Sequence, residues 1–579
     1  MGRALFALMT IALCLTITQC GDDGQNPVSP EPTPTGGWEL LTTGAVLNDV
    51  WVGTTGKALA VGEAGTILRR ENTEWRPEYC GFPCNLNGVW GSSFGDLFAV
   101  GDNGSILYFD GQNWTSAPSP TTADLYDIWG FSSQDIYAVG EGGTVLHFDG
   151  NNWSNQTSNT TATLSSVWGS AGNSVFAVGA LGTVIHFDGS DWSRMSTGTS
   201  QWLYHVRGVS SSKCTAVGTN GVILAYNDAS WSSLTSPTLQ DLRGVWPTSD
   251  TSFWAVGEAG AILKYSGSDW TVITATTSSD LRGLCGNSSG EILAIGEIGT
   301  ILSFDGTRWT ESNRGLSGDL RGIWGTSSTD VFMVGSSGVV YHFDGKGFAS
   351  MNSSTSYSLY DVWGYSGKDI FAVGERGTII EYDGTAWARQ TEGNTRDLFG
   401  VWGSSATDVY AVGRNGRLMH FDGSAWDLAE TEPDVNLWDI SGSSTDFVFA
   451  VGDSGAVFGL DDDSWEIEDT LGTVPFRSVK AFPGDVALAV GDEGTVAWRE
   501  GGQWHVAGSL TDDTLHGLWG SSKSNIYAVG DHGSIFHFDG NHWQKMRSPT
   551  GQTLWAVWGT VSGDIFAAGR SGAVIKLDR

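Results

Sequence analysis

The chain has 579 residues, too many for one ordinary hydrophobic core, so it is built of several domains or of a repeat array. Lys and Arg number 30 against 64 Asp and Glu, a net charge of −34. That balance argues against nucleic acid and against an anionic membrane surface as partners, and leaves cations, basic partners or plain solubility.

The first residues, MGRALFALMTIALCLTITQC, carry one Arg and then an apolar run too short to cross a membrane as a mature helix. They predict a secretory signal peptide over residues 1–19. ITQC resembles the bacterial lipoprotein box, although Gln19 stands where a small residue is usual. The resemblance implies Cys20 as the lipidated first residue of the mature chain; the alternative is a plain secretory signal and a free Cys20. Residues 20–37 are polar and Pro-rich, hence extended, and would tether a body to a lipid anchor. The expected location is the bacterial cell envelope, at the outer membrane or cell surface, or alternatively secreted. In such an oxidising compartment Cys80 and Cys84, in YCGFPC, are expected to form a disulfide. No further zinc ligands lie nearby. Cys214 and Cys285 sit alone in strand patterns and read as buried thiols.

From residue 38 onward one unit recurs. The Gly of each AVG-like tripeptide falls at Gly62, Gly101, Gly140 and so on to Gly569, at a constant step of 39 residues. Another Gly follows three residues later in every unit, from Gly65 to Gly572. Within a unit, LYDIWG, DIYAVG, GTVLHF and the residues from Trp153 read as four short strands, with no helical periodicity. A period near 40 with four strands is the mark of a propeller blade. VG-x-x-G would join strands two and three, with Gly supplying a positive φ. FDG-x-x-W would join strands three and four, its Asp closing the turn and its Trp wedging against the neighbouring blade.

AVGEGGTVLHFDGNNW resembles the Asp-box (bacterial neuraminidase) repeat, and more closely the photosystem II stability/assembly factor type of propeller. The box here is one residue shorter between Asp and Trp. The resemblance covers about residues 38–579 and implies an all-β fold of tandem β-propellers. Fourteen four-stranded units exceed one ordinary propeller, so two seven-bladed rings are expected, at 38–307 and 308–579. A single larger ring or an eight-plus-six split is the alternative. A ring hides its sheet edges when an early strand completes a late blade. The lone strand at Trp38 would then seal the blade ending near Gly306, and the strand at Trp309 would seal residues 554–579.

Structural positions repeat, whereas binding positions need not. Within L-x-G-V-W-G the residue after Leu varies in chemistry. In the first seven units it is read as Asn48, Asn87, Tyr126, Ser165, Arg207, Arg243 and Arg282; in the second seven as Arg321, Tyr360, Phe399, Trp438, Arg477, His516 and Trp555. Arg207, Arg243 and Arg282 could form an anion site. The second set could stack on sugars or peptide side chains. Alternatively these side chains pack between blades, each Arg pairing with a turn carboxylate.

His147, His186, His342, His420 and His537 share one repeat position, too far apart between blades to ligate one metal. Neither metal nor other cofactor is expected. Sialidases with this repeat carry an F-R-x-P start, and PFRSV at Phe476 lacks it; G-x-S-x-G and H-E-x-x-H are absent. The sequence therefore points to a non-catalytic binding or scaffold lipoprotein that recognises protein, peptide or glycan partners through its propeller faces. The alternative is a neuraminidase-like, glycan-acting hydrolase.

Overall fold

The computed structural model describes residues 37–577 except 54–55, 72–73, 79, 275–276, 314, 391–395, 429–433 and 462–463. The expected signal peptide, Cys20 and the tether up to residue 36 lie outside the described residues. β1 (Trp38–Thr42) comes first. β2 (Leu47–Val52), β3 (Ala58–Gly62), β4 (Ile67–Glu71) and β5 (Glu74–Glu78) then form an antiparallel meander, blade 1. The same four-stranded sheet occurs fourteen times. Blades 1–7 occupy residues 47–313 and blades 8–14 residues 320–577. Among the described residues no helix is long and apolar enough to cross a membrane.

The two glycines of VG-x-x-G have different reasons. Gly104 has φ +71°, the left-handed conformation, and shares it with the preceding Asn103 at φ +55°. Gly101 is extended, at φ −164°, and needs no conformational licence. Its constraint is space: a Cβ there would come within 1.9 Å of the Asn85 carbonyl oxygen. In the FDG turn Asp110 Oδ1 accepts the N–H groups of Gln112 (2.8 Å) and Asn113 (2.7 Å), an Asx turn. The following Trp does wedge against a neighbour. Trp153 meets Phe98 of the preceding blade edge-on at 6.3 Å, and Trp192 meets Tyr137 at 6.1 Å.

Apolar clusters glue each blade to the next. Leu86 and Val89 of blade 2 pack on Leu59 and Val61 of blade 1, and the pattern continues to blade 7. There it turns back: Leu293, Ile295 and Ile301 of blade 7 pack on Leu47 and Val50 of blade 1. Blades 8–14 repeat this, and Phe566 and Val574 of blade 14 pack on Leu320 and Ile323 of blade 8. Among the described residues no such cluster joins blade 7 to blade 8.

Strand sharing differs from the expectation. β1 does not complete the blade that ends near Gly306. It pairs antiparallel with the last strand of blade 14, Trp38 opposite Leu577 and Leu40 opposite Ile575. The strand at Trp309 stays in its own blade, with Trp309 opposite Phe304. The physical reason is loop entropy. A short Asp305 turn, closed by the Thr307 and Arg308 N–H groups at 2.8 and 2.9 Å, pairs Trp309 at little cost. Blade 14 has three strands of its own, so it is the one with an open edge to cover. The chain accordingly passes from blade 14 to blade 1 at residues 43–46, and from blade 7 to blade 8 at 314–319. The two crossings touch: a Cβ on Gly315 would meet the Thr43 carbonyl oxygen at 1.9 Å, and the Gly44 N–H donates to the Ser571 carbonyl at 2.6 Å.

The expected Cys80–Cys84 disulfide is not formed; both are free thiols. Cys80 is drawn into the core between blades 1 and 2, and its thiol donates to the Phe82 carbonyl at 3.3 Å. Burial pushes the Cys80 thiol up to about 11.

Trp38 is 7% exposed and packs with Tyr527, Leu554 and Leu577. Trp38→Ala is expected to cost about 3–5 kcal/mol in denaturant unfolding. A loss under 1 kcal/mol would mean that β1 is not the seal of blade 14.

Candidate functional site

The residue after the leading Leu of each inner strand is partly buried and sits at the strand's start. Fifteen residues on comes the first residue of its own blade's G-x-x-G hairpin. Where that residue is acidic, the two often meet. Asn87 donates to Asp102 at 2.9 Å, Arg243 to Glu258 at 3.1 Å, Arg282 to Glu297 at 3.2 Å and Trp438 Nε1 to Asp453 at 2.7 Å. Arg477 forks onto Asp492 at 2.7 and 2.8 Å, and His516 meets Asp531 at 2.9 Å. Together these side chains make a collar on the hairpin face.

Arg207 is not part of it. Tyr204, not Arg207, follows Leu203, and Arg207 stands three positions later, where other blades carry the Trp of V-W-G. It is 6% exposed and donates to Asp127 Oδ2 (3.2 Å) and the Val167 carbonyl (3.0 Å). The three-arginine anion site therefore does not assemble: Arg207 is buried, and Arg243 and Arg282 are paired with their hairpin acids.

From blade 14 through blades 8 to 12 the collar is a continuous stack. The Arg321 guanidinium lies 4.4 Å from the Trp555 ring centre and 5.7 Å from that of Tyr360. Tyr360 meets Phe399 at 5.6 Å, Phe399 stacks on Trp438 at 4.5 Å and 23°, and Arg477 covers Trp438 at 4.5 Å. Side chains stacked along the row spend their faces on one another. Their edges, which carry the positive side of the aromatic quadrupole, are left for solvent. Stacking of a sugar on these faces, an expectation of the sequence, thus meets occupied faces.

The inner strands also carry buried carboxylates, which sequence reading missed because they occupy the G position of L-x-G-V-W-G in only some blades. Each spans two blades through backbone N–H groups. Asp49 accepts from Val50 and from Val89 of the next blade, both at 2.8 Å; Asp361 likewise accepts from Val362 (2.8 Å) and Val401 (2.9 Å). Asp439 accepts from Ile440 (2.7 Å), Val479 (2.9 Å) and the Ser478 hydroxyl (2.7 Å). His205 does the same work as a neutral base, its Nδ1 accepting the Val245 N–H at 3.1 Å. Burial, then the nearby Asp127, push the Asp49 carboxyl up to about 7 against the pull of Arg207. Burial pushes Asp439 up to about 6, and burial and Asp439 together hold Asp361 well above its usual range. Burial, then Arg207, hold His205 well below its usual value.

The histidines of the third strands bond within their own blades, His147 to Asp135 at 2.8 Å and His342 to Asp330 at 2.7 Å. Among the described residues no three His, Cys, Asp or Glu gather closely enough to hold a metal ion together.

No family model matches the chain, and no curated protein matches it. Solved structures do. The chain is similar to a GH74 xyloglucanase from Xanthomonas campestris, at 12% identity and a TM-score of 0.68 over 94% of this chain and 100% of that one. It is similar to PorZ, a bacterial surface component of the type-IX secretion system of Porphyromonas gingivalis, at 12% identity and a TM-score of 0.64 over 93% and 87%. It also matches YCF48 bound to D1 peptide, at 18% identity and a TM-score of 0.41 over 48% and 98%. Likeness at such identities is one of fold: this is a β-propeller protein, built of repeated blades.

Two sets of carboxylates give stability opposite pH dependence. Asp49 and Asp439 bind protons more tightly folded than unfolded, so their contribution is greatest at low pH and fades as pH rises through about 6–7. The turn carboxylates Asp305, Asp383 and Asp422, held down to about 2 first by Thr or Ser hydroxyls and then by backbone N–H groups, stabilise above their ordinary range and lose this as pH falls. The Tm is expected to rise from about pH 8 to about pH 5 and to fall below about pH 4. The double variant Asp49→Asn, Asp439→Asn should flatten the first limb only. A wild-type Tm flat between those first two values would contradict this assignment.

Proposed function

We propose that the chain is a non-catalytic, extracytoplasmic binding platform of two seven-bladed propeller rings, which engages a protein segment at the collar of blades 8–14. The ring reading is supported by the apolar clusters that turn back from blade 7 to blade 1 and from blade 14 to blade 8. In this reading the first ring spans 47–313 rather than 38–307, and the second takes β1 with 320–577. The envelope location and the lipid on Cys20 rest on the N-terminal sequence.

The observation that carries the binding role is the collar itself. Elsewhere in the unit each repeated residue closes a turn or fills an interblade gap. The collar position and the hairpin-opening residue beside it change chemistry from blade to blade while staying at least partly exposed. Side chains held by stacking and by hairpin carboxylates are preorganised, which lowers the entropy cost of binding. Hydrolysis by the two-carboxylate mechanism of most glycoside hydrolases would need a carboxyl pair aimed at substrate. The raised pair Asp361 and Asp439 instead spends both oxygens of each on the backbone of its own and the next blade.

The test is capture from the native envelope with the full chain, wild type beside Phe399→Ala, Trp438→Ala. The wild type should hold a defined protein that the double variant releases, with unchanged Tm. Equal capture by both proteins would remove the collar from the interface. Release of reducing ends from an envelope glycan would replace the platform with an enzyme.

A further inference from the structure

Resting on that platform reading, we infer that the seam between blades 14 and 8 is a carboxylate-binding subsite, shaped for an Asp or Glu side chain of a partner polypeptide. The argument starts from the spacing of fifteen. Among the four collar arginines, Arg243, Arg282 and Arg477 each hydrogen-bond the acid that opens their own hairpin. The fourth, Arg321, has Ser336 there. The Ser336 hydroxyl is engaged by the Asp319 N–H at 2.8 Å and brings no charge. The carboxylate that pairs with Arg321 is Asp319, at 3.7 Å, beyond hydrogen-bond reach, and its Oδ1 takes the Ser571 N–H at 3.1 Å. Arg321 thus lacks the carboxylate hydrogen bond that its counterparts make, with 38% of its side chain exposed.

A second departure sits beside the first. Blade 14 places Arg570 where the hairpin acid would stand against collar residue Trp555. Arg570 is exposed, and among the described residues it has no ion pair. Arg321 lies over that same Trp555, its guanidinium 4.4 Å from the ring centre. On the far side burial, then Asp397 and Glu375, push the Tyr360 hydroxyl up against the weaker pull of Arg321 and Arg414. Arg414 itself is paired with Asp397 at 2.6 Å. The blade 14 hairpin that carries Arg570 reaches Asp319, the carboxylate paired with Arg321, through the Ser571 N–H.

The chemistry selects the ligand. A guanidinium fork matches a planar carboxylate, and the nearby aromatic edges add weak positive potential. An acidic sugar would bring the same carboxylate, but it gains affinity by stacking on aromatic faces. Here the Trp555 and Tyr360 faces are covered by Arg321. A slender acidic side chain needs no such face.

The test is fluorescence anisotropy on the full chain at physiological ionic strength, where screening limits repulsion from the acidic body to about 8 Å. The probe is a fluorescein-labelled Glu-Gly-Ser repeat peptide, with its Gln-Gly-Ser counterpart and oligogalacturonate as comparisons. The Glu peptide should bind about tenfold more tightly than the Gln peptide. Arg321→Gln and Arg570→Gln should each lose most of that preference, whereas Arg282→Gln should keep it. Ser336→Glu recreates the pairing seen at Arg243 and Glu258, so it should fold with wild-type Tm and yet lose the preference. Failure of the wild type to bind the Glu peptide, equal binding of both peptides, or full preference in Ser336→Glu would each overturn the subsite. Tighter binding of oligogalacturonate would overturn the choice of a polypeptide. If Phe399→Ala, Trp438→Ala abolishes partner capture while Ser336→Glu changes nothing, the platform stands and the subsite falls.

Discussion

An indole laid on bare backbone spaces the blades of this protein. The Trp of V-W-G on one inner strand rests on the Gly of the same motif in the next blade. A Cβ on Gly130 would lie 2.8 Å from the Trp90 ring, on Gly364 2.7 Å from Trp324, and on Gly442 2.5 Å from Trp402. Trp51 and Trp129 add a hydrogen bond from Nε1 to the carbonyl of that glycine, Gly91 and Gly169, each at 2.9 Å. The contact continues across the turn-back from blade 14 to blade 8, where Trp558 meets Gly325. In three places where the indole is missing, the glycine is released too; after Lys480 it is kept, and Phe482 packs on Gly520 instead. Cys285 is followed in blade 1 by Val52, Arg207 in blade 6 by Pro247, and Ser441 in blade 12 by Ala481, whose N–H the serine hydroxyl accepts at 3.3 Å. Close packing ties the two positions together, because the volume of one must be left vacant by the other.

The position just before that Trp–Val pair handles polarity. Inner strands of neighbouring blades present N–H groups to one another that no sheet partner satisfies. Asp49, Asp127, Ser166, His205, Asp361 and Asp439 accept them across the gap, always forty residues on. Glycines at the same position in other blades let the backbones approach instead; a Cβ on Gly322 would meet the Asp361 Cα at 2.8 Å. Buried acids in a line of inner strands suggest catalysis at first sight, yet their lone pairs are consumed by the architecture. A group raised in pKa can be structural, and geometry is what separates the two cases.

Packing and polarity together use up almost every repeated residue. What remains for recognition is the position after the leading Leu, where nothing in the interblade geometry dictates chemistry. Even there the scaffold intrudes, since hairpin acids fifteen residues away neutralise most cationic side chains. In the proposed reading, recognition is concentrated where the repeat breaks its own habits, as at Ser336 and Arg570.

By itself the sequence determined what is local. The constant step, the four strand patterns, the hairpin glycines and the Asp turns all follow from contacts within one unit, and every unit folded as read. The variable collar was legible too, because variation against a strict repeat is visible in a single chain. Arg207 was set into it wrongly, since LYHVRG replaces the Trp by Arg and hides its place in the register. Only the tertiary structure decided which blade β1 completes, which arginines are paired with a neighbouring carboxylate, and which aromatic faces are already covered. Those outcomes depend on which blade lies beside which. That adjacency is fixed by closure through space, between residues hundreds of positions apart, and no local pattern carries it.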